Sequence, residues 1–140
     1  MLSLPCKIIF GSEGDYLPWA FGGWSGDPAD RTHTWTEGYV AKLKLPLDTA
    51  KSDRLLTLDV IPHVQVAQDL FVFVNGYFAA FWCVKQADEI TAQIEHNIFV
   101  KGENVFAFVT PKAVRPADVN PGADERLLGC AFRSLTLLNT

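Results

Sequence analysis

The sequence predicts an all-β protein, an antiparallel sandwich of two sheets built from about eight short strands. Three observations lead there. Short apolar runs recur at a spacing of roughly 8–12 residues, separated by clusters of Gly, Pro, Asn and Asp. The clearest of them, Gln68 to Val84, is two β-type runs joined by Asn75-Gly76, the pair best able to take the two positive φ values of a type I′ hairpin. No stretch repeats apolar residues at helical spacing; only Ala113 to Asn120 has room for a turn of helix.

Each element has its own reason. Lys7 to Phe10 is a short apolar run closed by the turn Gly11-Ser12-Glu13-Gly14. Asp15 to Glu37 holds Trp19, Trp24 and Trp35 among glycines, Pro18 and Pro28, with little periodicity, and reads as a long ordered loop of the kind that carries function. Tyr39, Ala41, Leu43, Leu45 and Leu47 alternate with Val40, Lys42, Lys44 and Pro46, a strand with one buried and one mostly wet face. Leu56, Leu58 and Val60 against Thr57 and Asp59 repeat the pattern after the polar turn at Asp48 to Asp53. In the hairpin, Leu70, Val72 and Val74 face one way and Phe71 and Phe73 the other.

Ile90, Ala92 and Ile94 alternate with Thr91, Gln93 and Glu95; a turn at Lys101 to Asn104 leads into Val105 to Val109, apolar on both faces. Pro111, Pro116 and Pro121 forbid regular pairing over most of the following loop. The last strand runs from about Arg126 to Leu138, with Leu127, Gly129, Ala131, Leu135 and Leu137 on one parity that Arg133 breaks. The strands sort into clean alternators (39–47, 56–60, 90–94) and strands apolar on both faces (70–74, 77–84, 105–109, 127–138). Were the second kind to share a sheet, its outer face would carry some of Phe71, Phe73, Phe78, Trp82, Phe106 and Phe108, a patch that marks a ligand groove or a subunit interface.

At 140 residues the chain has the length of one domain, residues 1–140. Twelve Lys and Arg against 16 Asp and Glu, with no basic run, argue against nucleic acid or an anionic membrane surface as partner. No apolar run approaches the ~20 residues of a membrane helix, so no membrane insertion is expected. The opening MLSLPCKIIF lacks the pattern of a secretory leader. Cys6, Cys83 and Cys130 stand apart inside apolar runs, without Cys-x-x-Cys spacing, and read as small core residues in a reduced, cytoplasmic setting.

For catalysis, His33, His63 and His96 are available, but there is no Gly-x-Ser-x-Gly elbow, no His-Glu-x-x-His and no phosphate-cradling glycine loop, so a non-enzyme without cofactor is expected. Asp27, Asp30 and Glu37 offer oxygen ligands for a hard cation, yet their spacing fits no EF-hand and turn residues are the simpler reading; no metal is expected. The loop's mixture of Tyr16, Trp19, Trp24, Arg31, His33, Trp35 and Glu37 suits a saccharide, whose C–H faces stack on flat rings and whose hydroxyls pair with charged groups. The bland alternative is that the tryptophans plug the sandwich ends with indole N–H groups on backbone carbonyls. Asp124 and Arg126 are read as a bidentate pair pinning the Pro-rich loop.

Gly23-Trp24-Ser25, Trp35-Thr36-Glu37-Gly38, the hairpin pattern Gln68, Val72, Val74, Asn75, Gly76, then Gly102-x-Asn104 and Asp124-x-Arg126-x-Leu128-Gly129 together resemble the jelly-roll modules of bacterial surface-polysaccharide and glycosyltransferase systems, which are similar to galactose-binding-like carbohydrate-binding modules. The resemblance implies a two-sheet jelly roll that binds a glycan or docks onto a glycan-building enzyme. On that reading Trp19, Trp24 and Trp35 stack against sugar or shape the site, and Asp27, Arg31 and Glu37 bond its hydroxyls. The alternative expectation is a structural module whose aromatic sheet face forms a homodimer or a docking surface for a partner glycosyltransferase.

Overall fold

In the computed structural model residues 1–63 and 66–140 are described, and they form nine strands in two antiparallel sheets. In chain order these are β1 (Cys6–Ile9), β2 (Thr34–Glu37), β3 (Val40–Leu47), β4 (Arg54–Pro62), β5 (Gln68–Val74), β6 (Tyr77–Val84), β7 (Asp88–Ile94), β8 (Gly102–Val109) and β9 (Leu128–Asn139), with one short helix, α1 (Pro116–Val119), and 3-10 turns at Leu17–Trp19 and His96–Ile98. One sheet has the order β1-β9-β4-β7, with β2 also paired to β9; the other has the order β3-β8-β5-β6. Among the described residues no helix is long and apolar enough to cross a membrane.

The core lies between the sheets and is filled by the alternating residues the sequence marked. Leu43, Leu45 and Leu47 of β3, Leu56, Leu58 and Val60 of β4, and Leu70, Val72 and Val74 of β5 are buried there, each contributing roughly 1.5–3 kcal/mol on removal from water. Asn75 and Gly76 both take positive φ, 52° and 82°, as a type I′ turn requires. Asn75 does more than turn the chain: its Nδ2 donates to Asn104 Oδ1 at 2.9 Å and to the Ile98 carbonyl at 3.0 Å, while its Oδ1 accepts from the Val105 amide.

Four expectations need correction. The loop from Asp15 to Glu37 is not irregular throughout, since Thr34–Glu37 is strand β2; Thr34 and Thr36 point inward and their hydroxyls accept from the Gly11 and Cys130 amides, so polar residues rather than an apolar run build this strand. The parity read along the last strand also fails at its first half. Cys130 and Phe132 face the core, then a bulge at Arg133 resets the alternation so that Leu135 and Leu137 do.

The strands apolar on both faces do not all share a sheet, because β9 is central to the other one. Phe106, Phe108 and Trp82 turn inward, leaving an outer face on β5 and β6 that carries Phe71 against Phe81 and Phe73 against Phe78, with ring centroids 4.8 and 5.9 Å apart. Phe81 was not in the expected set. It is set on that face by a bulge between the Phe78 and Ala80 rungs of the hairpin.

Candidate functional site

The loops that carry most of the predicted residues gather at one end of the sandwich, where β2 begins, β4 ends and β9 starts. Three antiparallel strands bring Trp35 (β2), Ala131 (β9) and Ile61 (β4) onto one rung, with Trp35 paired to Ala131 and Ala131 to Ile61. Cross-strand neighbours share a face. Ala131 is fully buried between its two large neighbours, and beside Trp35 and Ile61 a shallow pocket of about 320 Å³ opens, lined by these two with Pro62, Pro116, Leu128 and the Asp124–Arg126 pair. His63 forms part of the same wall and is buried. The lining is mostly apolar with a few charged groups at the rim, the composition of small-ligand sites.

The rim is organised by Arg126, whose side chain is only 21% exposed. Its Nε donates to Asp124 Oδ1 and Oδ2 at 3.0 and 2.9 Å, and Nη2 to Asp124 Oδ2 at 2.5 Å. Nη1 reaches across to the other loop, donating to Ser25 Oγ at 2.8 Å and Asp30 Oδ2 at 2.9 Å, with Asp27 Oδ2 at 3.9 Å. The Arg126 hydrogen bonds hold the Asp124 carboxyl below its ordinary range, and reciprocally Asp124, then Asp30, hold the guanidinium firmly protonated against the cost of burial. The pairing of Asp124 with Arg126 is as read from sequence, but it pins two loops rather than one.

His33 completes the rim. Its ring meets the Trp35 indole edge-on at 6.1 Å between centroids, Nε2 lies 3.7 Å from Asp30 Oδ1, and Nδ1 is 3.3 Å from the Thr32 hydroxyl. Neither His33 nor His96 has a serine hydroxyl or a thiol among its hydrogen-bond partners, and burial pushes the Cys130 thiol up to about 12. No activated nucleophile is formed from these groups. Among the described residues no three His, Cys, Asp or Glu side chains converge as a metal site; Asp27 and Asp30 turn on Arg126, and Asp27 Oδ1 also accepts from the Ala29 amide.

The predicted residues part company at this point. Trp35 is half-buried in the pocket wall, and Asp27 does not line the pocket but approaches Arg126 of that wall at 3.9 Å. Glu37 is exposed at the end of β2, and its carboxylate has no partner among the described residues. Arg31 swings away to pair with Glu13, both largely exposed. Trp24 is unavailable for stacking on a ligand: its indole is walled by Phe10, Tyr16, Phe108 and Phe132, at centroid distances of 5.1 to 6.4 Å, and its Nε1 donates to the Lys42 carbonyl at 2.8 Å. Trp19 likewise packs against the core. Trp24 thus has the packing and the indole-to-carbonyl bond of an end plug, while Trp19 has the packing alone.

What sequence reasoning missed is that Ile61, Pro62, Pro116 and Leu128 form the apolar floor and that Asp30 and His33 join Arg126 at the rim. The Asp-x-Arg spacing at 124–126 was the one available signal.

No protein-family model and no curated protein matches this chain. Solved structures of like fold do. The CBM36-1 domain of a multidomain xylanase from the hindgut metagenome of Trinervitermes trinervoides superposes with a TM-score of 0.57 at 11% identity, covering 96% of this chain and 98% of that one. The C-terminal CBM6 of a marine laminarinase from Zobellia galactanivorans gives 0.57 at 7% identity over the same shares. A CBM36 module in complex with calcium and xylotriose gives 0.54 at 9% identity, covering 94% and 98%. At these identities the likeness is one of fold: the chain is a jelly-roll β-sandwich of the architecture seen in carbohydrate-binding modules.

Proposed function

We propose that this chain is a non-catalytic carbohydrate-binding module whose ligand seat is the Trp35 pocket. The observation that carries the reading is the half-buried indole of Trp35 in a pocket it lines together with Ile61, Asp124 and Arg126, an apolar wall beside fixed polar groups. A ring of that kind takes the C–H face of a sugar, while Asp27 and His33 stand beside the Arg126 network to meet its hydroxyls. The module architecture supports the reading, since a module of a xylanase, a module of a laminarinase and a further CBM36 module solved with calcium and xylotriose share it along nearly the whole chain.

The partner enzyme is a further part of the proposal. The sequence resemblance supports a glycan-building enzyme, whereas the structurally similar modules are named for proteins that cut glycans. Both settings deliver a polysaccharide to the module. The test is affinity electrophoresis against a panel of soluble polysaccharides, repeated with Trp35→Ala. Retardation on one glycan class that is lost in the variant, with its unfolding midpoint unchanged, supports the reading; equal mobility on every glycan sinks it.

The outer aromatic face favours a second reading. Phe78 and Phe81 are 58% and 47% exposed, and each lies against a second phenylalanine of the same sheet. An apolar cluster of that kind on an outer sheet face fits a homodimer or a docking surface. Light scattering decides: a dimer mass that falls to monomer in Phe78→Ser/Phe81→Ser supports it, and a monomer at high concentration that binds no partner counts against it.

A further inference from the structure

Asp124 lines the pocket, and Asp27 and Asp30 gather with it around the one guanidinium of Arg126, whose donors are already largely taken. Arginine has five N–H donors. Nε–H is taken by Asp124, both Nη1 hydrogens by Ser25 and Asp30, and one Nη2 hydrogen by Asp124 again, which leaves a single donor on Nη2. Recognition of a carboxylate by arginine needs two parallel N–H groups presented to it. Arg126 has no such pair to offer a ligand, although among the described residues it is the only Lys or Arg lining the pocket.

The other cations nearby in sequence do not fill the gap. Arg31 is paired with Glu13, and Lys112 with Asp69 at 3.1 Å. Arg115, beside Pro116 of the pocket wall, is exposed and does not line the pocket. Glu37 and Glu125, both exposed, add negative charge at the ends of β2 and of the Pro-rich loop. An incoming anion therefore meets carboxylates without a free partner, and the chain's net charge of −4 has the same sign.

From this we infer that, on the glycan-binding reading above, the Trp35 pocket selects uncharged sugars and rejects uronic-acid, sialic-acid and sulfated glycans, with the Asp27, Asp30 and Asp124 carboxylates as the excluding groups. Arg126 acts as a positioning residue: it gathers the carboxylates and holds both loops, and it does not read the ligand.

The experiment uses a matched pair, polygalacturonate and the same polymer with its carboxyl groups reduced to neutral galactose, beside neutral xylan, mannan and laminarin. Binding is read by affinity electrophoresis and by calorimetry at low and at high salt, with the wild-type chain and Asp27→Asn. The amide keeps the Asp27 Oδ1 contact to the Ala29 amide while removing the charge. Expected is binding to a neutral polymer, at least about tenfold weaker binding to the acidic member of the pair at low salt, and a narrower gap at high salt or in Asp27→Asn, as screening and charge removal require. Acidic polymer bound as tightly as its neutral twin overturns this inference and leaves glycan binding standing. No retardation on any polymer overturns glycan binding itself, and the inference with it.

Discussion

Arg126 and Asp30 stand 96 positions apart in the chain and meet through an Nη1–Oδ2 hydrogen bond of 2.9 Å. This contact ties the Trp-rich loop to the Pro-rich loop and so sets the mouth of the pocket. Removing the guanidinium leaves Asp30 and Asp124, both less than half exposed, facing one another and Asp27 without compensation. Arg126→Ala is expected to lower stability by about 2–4 kcal/mol, the low side of the range for breaking a buried pair because the site is partly solvated. Urea unfolding midpoints check it.

The same network predicts an acid sensitivity. Asp124 titrates below its ordinary value in the fold, mainly through its side-chain bonds to Arg126. A depressed carboxyl contributes stability that is present above the unfolded pKa of about 3.9 and is lost as pH falls through the lower folded value. The wild type should therefore lose stability more steeply than Arg126→Gln below about pH 4, while their difference at neutral pH stays constant. Thermal unfolding followed by circular dichroism across that window measures both slopes.

Two tryptophans separate stability from binding. Trp24→Ala empties a site packed by four aromatic rings and removes one of the two donors to the Lys42 carbonyl, the Phe21 amide being the other, so a loss of about 3–5 kcal/mol is expected. Trp35→Ala removes a half-buried ring from the pocket wall and should cost about 1 kcal/mol or less, while abolishing glycan retardation. Paired unfolding and affinity-gel measurements distinguish the two.

Asn104 should prove as important as any core leucine. It is fully buried; its Oδ1 accepts from the Val100 amide and Asn75 Nδ2, and its Nδ2 donates to the Val100 and Gly102 carbonyls, all at 2.9 Å. Asn104→Ala strands several part-buried polar groups at once, for an expected loss of about 2–4 kcal/mol. Chemical denaturation gives the value, and a loss below 1 kcal/mol would show that water or local relaxation replaces the amide.

The three thiols should react in order of exposure. Cys83 is exposed on β6, Cys6 is half-buried with its pKa raised chiefly by burial, and Cys130 is fully buried with its thiol pushed up to about 12. A disulfide reagent at pH 8 should modify Cys83 quickly, Cys6 slowly and Cys130 only on unfolding, as mass spectrometry of timed samples would report.

Most strands were legible because their alternation is local: Leu43, Leu45 and Leu47 announce the buried face of β3 from three positions in one segment, and Asn75-Gly76 announces its own turn. β2 was not, because Thr34 and Thr36 earn their buried places through hydrogen bonds to Gly11 and Cys130, partners distant in the chain. The site was legible in composition only. Trp35 and Trp24 look alike as residues in one irregular segment, yet one lines a pocket and the other plugs the core.

By itself the sequence determined most of the strand pattern, the hairpin and the two-sheet class, since period-2 alternation and turn chemistry act over neighbouring residues. Only the tertiary structure decided which strands share a sheet, where the Arg133 bulge switches faces, and which of the loop residues meet. Those outcomes depend on pairing between segments tens of residues apart. A one-residue change of register there exchanges every side chain between core and surface.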